Sequence, residues 1–160
     1  IIYNIPSRSV IDMTVETMTR LYELKNIKGV KDATGDLRRV EAQLKAMGKE
    51  FIQLTGNDDN ALEFNKKGGV GSISVTANIA AKLCSDFQNS CVNGFKDSEK
   101  LDKILQPVHA AMFIESNPSP VKYAASLLGL CSSDVRLPLV QVNEETKKKL
   151  LETLKVAKIL

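Results

Sequence analysis

The stretch that decides the fold is IKGVKDATGD, which runs from Ile27 to Asp36. A short apolar run leads into a glycine-containing turn, and the residues beyond it have helical spacing. The stretch therefore predicts a strand, a turn and the start of a helix. Lys31 lies in the middle of the predicted strand. Because lysine is a poor strand former and is rarely buried without a partner, an amine at this position requires an explanation.

Lys31 has a catalytic and a structural interpretation. An amine among apolar side chains loses the hydration of its charge, which favours the neutral, nucleophilic form. Such an amine can attack a ketone and form a Schiff base, which then withdraws electrons from the adjacent carbon. In the structural interpretation, the lysine lies near a strand end and keeps its ammonium in water. Alternation along the strand puts Lys28 on the opposite face, so only one of the two is expected to face the interior.

The first part of the chain alternates between apolar runs and amphipathic helical segments. Four runs are predicted as strands, each followed by a helix: IIYNI, IKGVKDA, FIQLTG and VGSISVT. This alternation predicts parallel strands in βαβ units. After Gly94 the pattern is helical only, at residues 98–114, 120–128 and 143–158. We therefore expect an α/β domain over residues 1–94 and a helical carboxyl-terminal domain over residues 95–160.

Four βα units fit either an open doubly wound sheet or half of an eight-stranded (β/α)8 TIM barrel. Both architectures place functional residues at the carboxyl ends of the strands. The sequence contains neither a dinucleotide-binding glycine motif nor a Walker loop. The glycine cluster GGVGS, residues 68–72, is better explained as a helix-to-strand turn than as a phosphate site.

Composition argues against several classes of protein. Of the 160 residues, 43% are hydrophobic, which is typical of a globular domain. The net charge is +3 and the basic residues are scattered, so we expect no nucleic-acid-binding patch. The three cysteines form no CxxC pair and His109 is the only histidine, so we expect no His/Cys metal site. Reduced thiols favour a cytoplasmic protein. No apolar run approaches the roughly 20 residues that span a membrane.

Polar residues and a glycine lie near the ends of the predicted strands. Tyr3 and Arg8 flank the end of the first strand, Gly56 ends the third, and Ser74 and Thr76 end the fourth. In a parallel sheet these positions meet at one rim. The phenol of Tyr3 can relay a proton, although an aromatic side chain in a core is the commoner role. The guanidinium of Arg8 can bind a carboxylate through two hydrogen bonds, although a surface arginine is again commoner.

Several motifs in a fixed order resemble the pyruvate-dependent class I aldolase superfamily, and within it most closely the dihydrodipicolinate synthase family. The motifs are YNIPSRS (3–9), GVKDATGD (29–36), LTGND (54–58), GSISVTAN (71–78), NPSPVKYA (117–124) and RLPL (136–139). The resemblance covers essentially the whole chain. It implies the carboxyl-terminal half of a (β/α)8 TIM barrel, made of four βα units, followed by a helical tail.

The resemblance also implies an activity and a role for individual residues. Lys31 would form a Schiff base with pyruvate, and Tyr3 would relay protons beside it. Arg8 would bind the carboxylate of the second substrate, L-aspartate 4-semialdehyde. Gly56 and the backbone of Ile73 would line the pyruvate pocket. The product would be 4-hydroxy-tetrahydrodipicolinate, in lysine and diaminopimelate synthesis, formed without a metal or cofactor by a homotetramer.

Three alternatives stay open at this point. A related sugar-acid aldolase of the N-acetylneuraminate lyase type would share the tyrosine and the lysine, but such relatives generally lack an arginine at the position of Arg8. A catalytically inert half-barrel would serve only as a structural fragment, since the first four βα units of the family have no counterpart in these 160 residues. We expect those units in a partner half, without which the strand edges would be open. An unrelated open α/β binding domain is the weakest option.

Overall fold

The apolar runs around Tyr3, Lys31 and Leu54 form three parallel strands. They are β1 (Ile2–Asn4), β2 (Gly29–Asp32) and β3 (Ile52–Thr55), and β2 lies in the middle of the sheet. Tyr3 pairs with Lys31, and Lys31 pairs with Leu54. The computed structural model describes all residues from 1 to 160 and comprises two compact units, residues 1–74 and 75–160. The sheet belongs to the first unit.

Four helices accompany the strands in the first unit: α1 (Pro6–Ser9), α2 (Val15–Tyr22), α3 (Arg38–Met47) and α4 (Ala61–Lys66). Thr14 caps α2 by accepting a hydrogen bond from the Thr17 N–H, as its position in the sequence predicts. At the end of α3, Gly48 has a φ of +79°, a conformation that favours glycine. A 3-10 turn (Asp58–Asn60) leads into α4.

The two faces of the sheet differ in burial because successive side chains of a strand point to opposite sides. Val30 of β2 is fully buried and packs with Met18 of α2 and with Phe51, just before β3. Tyr22 contacts the edge of the Phe51 ring, with centroids 5.1 Å apart. On the opposite face the side chains are more exposed, and Tyr3 is 51% accessible. The helices α2 and α3 therefore cover one face of the sheet, which is the face that does not carry Lys31.

The fourth predicted strand is only an extended segment in the structure. A single parallel bridge joins Ser72 to Thr55. The N–H of Thr55 donates to the Gly71 carbonyl at 3.0 Å, and the N–H of Ile73 donates to the Thr55 carbonyl at 2.9 Å. The segment cannot continue as a strand because the backbone is already helical at Val75 and turns into a 3-10 helix.

The second unit is helical, as the pattern after Gly94 predicts. After a 3-10 turn (Thr76–Asn78) it contains α5 (Ala81–Val92), α6 (Ser98–Ala111), α7 (Ser119–Leu127) and α8 (Glu144–Val156). Buried apolar side chains from these elements form one cluster, including Ile79, Val108, Met112, Ala124, Leu150 and Leu154. The domain boundary expected at residues 94 and 95 stays a prediction. No helix is long and apolar enough to cross a membrane.

His109 and Thr76 form a buried polar pair in the second unit. The Oγ1 of Thr76 lies 2.7 Å from Nδ1 of His109, and both residues are buried. The pair satisfies two polar groups that would otherwise be costly to bury. His109 thus has a buried polar partner. Thr76 lies in a 3-10 turn instead of at the end of a fourth strand.

The segment after α1 contains a strained residue. Val10 has a φ of +66°, in the left-handed region, and its side chain is 90% exposed. A β-branched side chain in this region is a genuine outlier, because its Cβ approaches the backbone. The N–H of Val10 donates to the Pro6 carbonyl at 2.9 Å, which closes the single turn of α1.

We expect Val10→Gly to stabilise the protein by about 0.5–1 kcal/mol. Relief of left-handed strain is worth roughly 1–2 kcal/mol, and the larger entropy of an unfolded glycine offsets roughly 0.5–1 kcal/mol of this. Little packing is lost, because the side chain is almost fully exposed. Thermal or denaturant unfolding measures the change. Ile11→Gly is the matched control, since Ile11 is also exposed but has no positive φ, and it should be destabilising. If the Val10→Gly protein were no more stable than the parent, the conclusion that Val10 is strained would be wrong.

The Asp36 carboxylate should contribute a pH-dependent part of the stability. The adjacent Arg38 guanidinium donates two hydrogen bonds of 2.8 Å to it and lowers the pKa of Asp36 from 3.8 to about 2. A carboxyl group whose pKa is lowered by folding stabilises the folded state at pH values above its pKa in the unfolded chain. This contribution disappears as the pH falls from about 4 toward 2. Asp36→Asn, which can still accept from the Arg38 N–H, should slightly lower the melting temperature at pH 7 and not at pH 2. An equal difference at both pH values would refute this assignment.

Candidate active site

Lys31 and Tyr3 lie side by side on the open face of the sheet. They are register partners on β2 and β1. The Nζ of Lys31 is 3.9 Å from the centroid of the Tyr3 ring, so the amine lies over the aromatic face. The side chain of Lys31 is half-buried. The amine therefore lies at the predicted rim beside the phenol, but these residues do not enclose it as the sequence suggested.

Gly56 lies directly against the Lys31 side chain. A Cβ placed on Gly56 would be 3.0 Å from Cε of Lys31 and 2.8 Å from Cβ of Ala33, both closer than side chains normally approach. The N–H of Gly56 donates to the Asp32 carbonyl at 2.7 Å, which holds the glycine beside the end of β2. Only a residue without a side chain fits here without moving the lysine.

Ile73 and Arg8 lie next to the ends of other strands. Ile73 bonds through its N–H to the carbonyl of Thr55, the residue that precedes Gly56. Its backbone is thereby placed beside the turn that contacts Lys31. Arg8 is exposed and follows β1 on α1. Pro6 begins this single helical turn, because proline fits the first turn of a helix.

The sequence analysis assigned no role to a second set of residues at the strand ends. The last residue of each strand is buried and polar, and its side chain bonds to the loop that follows: Asn4 in β1, Asp32 in β2 and Thr55 in β3. Thr55 Oγ1, for example, accepts a hydrogen bond of 3.0 Å from the Asn57 N–H. Asp32 Oδ1 accepts hydrogen bonds from the Thr34 N–H at 2.9 Å and hydroxyl at 2.6 Å. The signal was present in the sequence as a polar residue at the end of each apolar run.

Arg39 completes this set of polar contacts. Its Nε donates to Oδ2 of Asp32 at 2.9 Å, and one terminal nitrogen donates to the Met13 carbonyl at 2.6 Å. The other terminal nitrogen lies 3.4 Å from Oδ2 of Asp12. Its side chain is 13% exposed, so the buried Asp32 carboxylate has a well-placed cation. Charge-assisted hydrogen bonds of this kind are strong and directional.

The arrangement supplies a nucleophile, a phenol and a close backbone turn on one face of a sheet. Amine and phenol together suit Schiff-base chemistry with proton transfer. No group of three or more histidine, cysteine, aspartate or glutamate side chains is placed to hold a metal ion. At this rim, the side chains that suit such chemistry are those of Lys31 and Tyr3.

Comparison with known proteins gives a consistent result. The chain matches the model of the dihydrodipicolinate synthetase family over residues 1–157. It is 68% identical to the 4-hydroxy-tetrahydrodipicolinate synthase of Pelagibacter ubique, covering all of this chain and 56% of that protein. It is 52% identical to the synthase of the same name from Parvibaculum lavamentivorans, covering all of this chain and 55% of the relative.

Solved structures of the same kind share the fold. Dihydrodipicolinate synthase from Aquifex aeolicus has a TM-score of 0.95 and 34% identity, over 98% of this chain and 54% of that one. The 4-hydroxy-tetrahydrodipicolinate synthase of Methylacidiphilum fumariolicum has a TM-score of 0.93 and 38% identity, over 98% and 53%. The chain thus spans about half the length of the relatives it matches, and its fold is that of one half of their TIM barrel together with the helical part. The chain belongs to the dihydrodipicolinate synthetase family.

Proposed function

We propose that the protein containing this chain condenses pyruvate with L-aspartate 4-semialdehyde to form 4-hydroxy-tetrahydrodipicolinate, using Lys31 as the Schiff-base nucleophile. The observation that carries the proposal is the contact of Lys31 with both Tyr3 and Gly56 at the carboxyl ends of parallel strands. Relatives named for this activity, at up to 68% identity, support the choice of reaction.

The amine of Lys31 would attack the ketone carbon of pyruvate. A C–N bond forms and water leaves, giving an imine between Lys31 and the substrate. Loss of a proton from the methyl carbon converts the imine to an enamine, whose carbon attacks the aldehyde of the second substrate. The amino group of that substrate then attacks the imine carbon, closes the ring and releases Lys31. The lysine nitrogen acts first as the nucleophile, then as part of the imine that accepts electrons and of the enamine that returns them, and last as the leaving group, so no redox partner is needed.

Tyr3 would move the protons that these steps require. Its ring lies over the Lys31 amine, and its side chain is half exposed. A phenol in this position can give a proton to the departing oxygen and take one back during the condensation. The contact between ring and amine thus supports Tyr3 as the proton relay of the proposed reaction.

Gly56, Ile73 and Arg8 would bind the substrates. Gly56 has no side chain, so its backbone lies close to Cε of Lys31 and would form one wall of the pyruvate pocket. The Ile73 backbone would form the neighbouring wall of the pocket. Arg8, exposed on α1, would pair with the carboxylate of the incoming semialdehyde. The partner half of the barrel, the homotetramer and the cytoplasmic location remain predictions.

Borohydride trapping tests the nucleophile. The protein for this experiment is a chimera, in which residues 1–160 replace the matching segment of the Pelagibacter ubique relative. With pyruvate and borohydride, we expect a covalent adduct on the peptide containing Lys31, located by mass spectrometry. Lys31→Ala should abolish the adduct because no amine remains to form the imine.

Lys28→Ala is the matched control for this experiment. Lys28 precedes β2 by one residue and is exposed, so its amine is available for non-specific reaction. The control variant should keep the adduct. An adduct that forms equally well in Lys31→Ala, or none in a folded chimera, would overturn the proposed function and favour a structural role for this chain.

Gly56→Ala should slow Schiff-base formation. The new methyl group would displace Cβ of Ala33 or Cε of Lys31. A misplacement of about 1 Å can reduce a rate by about 100-fold. Borohydride trapping at successive times after the addition of pyruvate measures the rate constant of Schiff-base formation. Gly48→Ala is the control: it introduces backbone strain at φ +79° but its Cβ would meet nothing within 4 Å. That variant should lose stability and keep the trapping rate. Equal rates in Gly56→Ala and the parent would contradict the assigned contact.

A further inference from the structure

We infer that Arg39 is a positioning residue that fixes the segment carrying Arg8, residues 7–12, and thereby sets the affinity for the second substrate. The inference rests on the proposed function for the role of Arg8. It concerns a residue that lies outside the set of Lys31, Tyr3 and Gly56. Arg39 acts through the backbone of this segment and need not touch substrate.

Packing does not hold the segment in place. Every residue from Ser7 to Asp12 is exposed, including the apolar Val10 and Ile11. Burial of apolar area, the usual source of loop stability, is therefore small here. The left-handed Val10 adds strain, and such strain persists only where the surroundings over-determine the conformation. Polar contacts therefore carry the constraint: Ser9 Oγ donates to the carbonyls of Ile5 and Ile11, and other elements bind the end of the segment near Asp12.

The buried Asn4 and the largely buried Arg39 supply these contacts. Asn4, at the end of β1, donates to Oδ1 of Asp12 at 2.8 Å and accepts from the Met13 N–H at 3.1 Å. Arg39 donates to the Met13 carbonyl at 2.6 Å and lies 3.4 Å from Oδ2 of Asp12. The carbonyl, the N–H and the carboxylate at the end of the segment are thus all bound by residues of other elements.

The third contact of Arg39 explains why an arginine is needed. Its Nε is committed to Asp32, the buried residue next to Lys31 on β2. One planar guanidinium therefore joins the end of β2 to the segment that follows β1. A lysine has one donor atom and cannot span these three partners in a fixed plane. Arg39 consequently fixes the position of the segment with Arg8 relative to β2, the strand that carries Lys31.

The experiment separates substrate affinity from chemistry in the chimera described above. In Arg39→Lys we expect the KM for L-aspartate 4-semialdehyde to rise on the order of tenfold, as for a displaced substrate clamp, with kcat changing about twofold or less. Trapping of pyruvate on Lys31 should keep its rate. Hydrogen exchange of the backbone amides in residues 7–12 should become faster.

Two further variants protect the interpretation against simple unfolding. Asp12→Ala removes an exposed partner and keeps the buried pair of Arg39 and Asp32. It should raise the same KM and the same exchange rates. Arg38→Gln is the matched control, because Arg38 is the neighbouring arginine on α3, is 90% exposed and pairs with Asp36. It should change none of these quantities.

Hydrogen exchange distinguishes a failure of this inference from a failure of the proposed function. If pyruvate is not trapped even in the parent chimera, the proposed function fails, whereas faster exchange at residues 7–12 in Arg39→Lys and Asp12→Ala still supports the structural tie. If trapping works but the KM for the semialdehyde and the exchange rates are unchanged in both variants, the inference is overturned.

Discussion

The parallel register of β1, β2 and β3 is the constraint on which the proposed site depends. It puts Tyr3 beside Lys31 and, through alternation, puts Asp32 on the opposite face. The same strand thus presents an amine to the open face and a carboxylate to the helices. A slip of one residue would exchange the two, burying the amine against α2 and α3 and turning the carboxylate outward. The buried Val30, packed on Met18 and Phe51, specifies which of these arrangements forms.

The strand ends show how this unit holds its loops in place. Asn4, Asp32 and Thr55 are buried, and each side chain forms hydrogen bonds to the segment that follows its strand. A buried polar group left without a partner is costly, so these bonds are specific as well as stabilising. The loops at the carboxyl ends are therefore fixed mainly by polar contacts with the sheet. This arrangement lets exposed residues such as Arg8 and Val10 occupy defined positions without an apolar core beneath them.

The sequence predicted the periodic features well and the polar contacts poorly. The spacing of apolar residues was sufficient for the three strands and the main helices, and the lysine within an apolar run indicated the candidate site. The fourth strand was overpredicted because its apolar pattern says nothing about where the backbone turns into the helical conformation at Val75. Arg39 was missed since its partners, Asp12, Met13 and Asp32, are distant along the chain. Only the fold brings them together.

The limited burial around Lys31 shows that these residues determine the contacts of the amine but do not enclose it. The contacts of Lys31 with Tyr3 and Gly56 arise within residues 1–74, so the geometry of amine and phenol is a property of this sheet. The sheet does not enclose the amine, because Tyr3 is half exposed and Ile52, on the same face, is 39% accessible. A water-excluded site strengthens electrostatic interactions and protects an imine from hydrolysis. In the proposed chemistry, groups beyond these three strands supply that enclosure. Enclosing the sheet should therefore change the reaction rate strongly and leave the reacting residues the same.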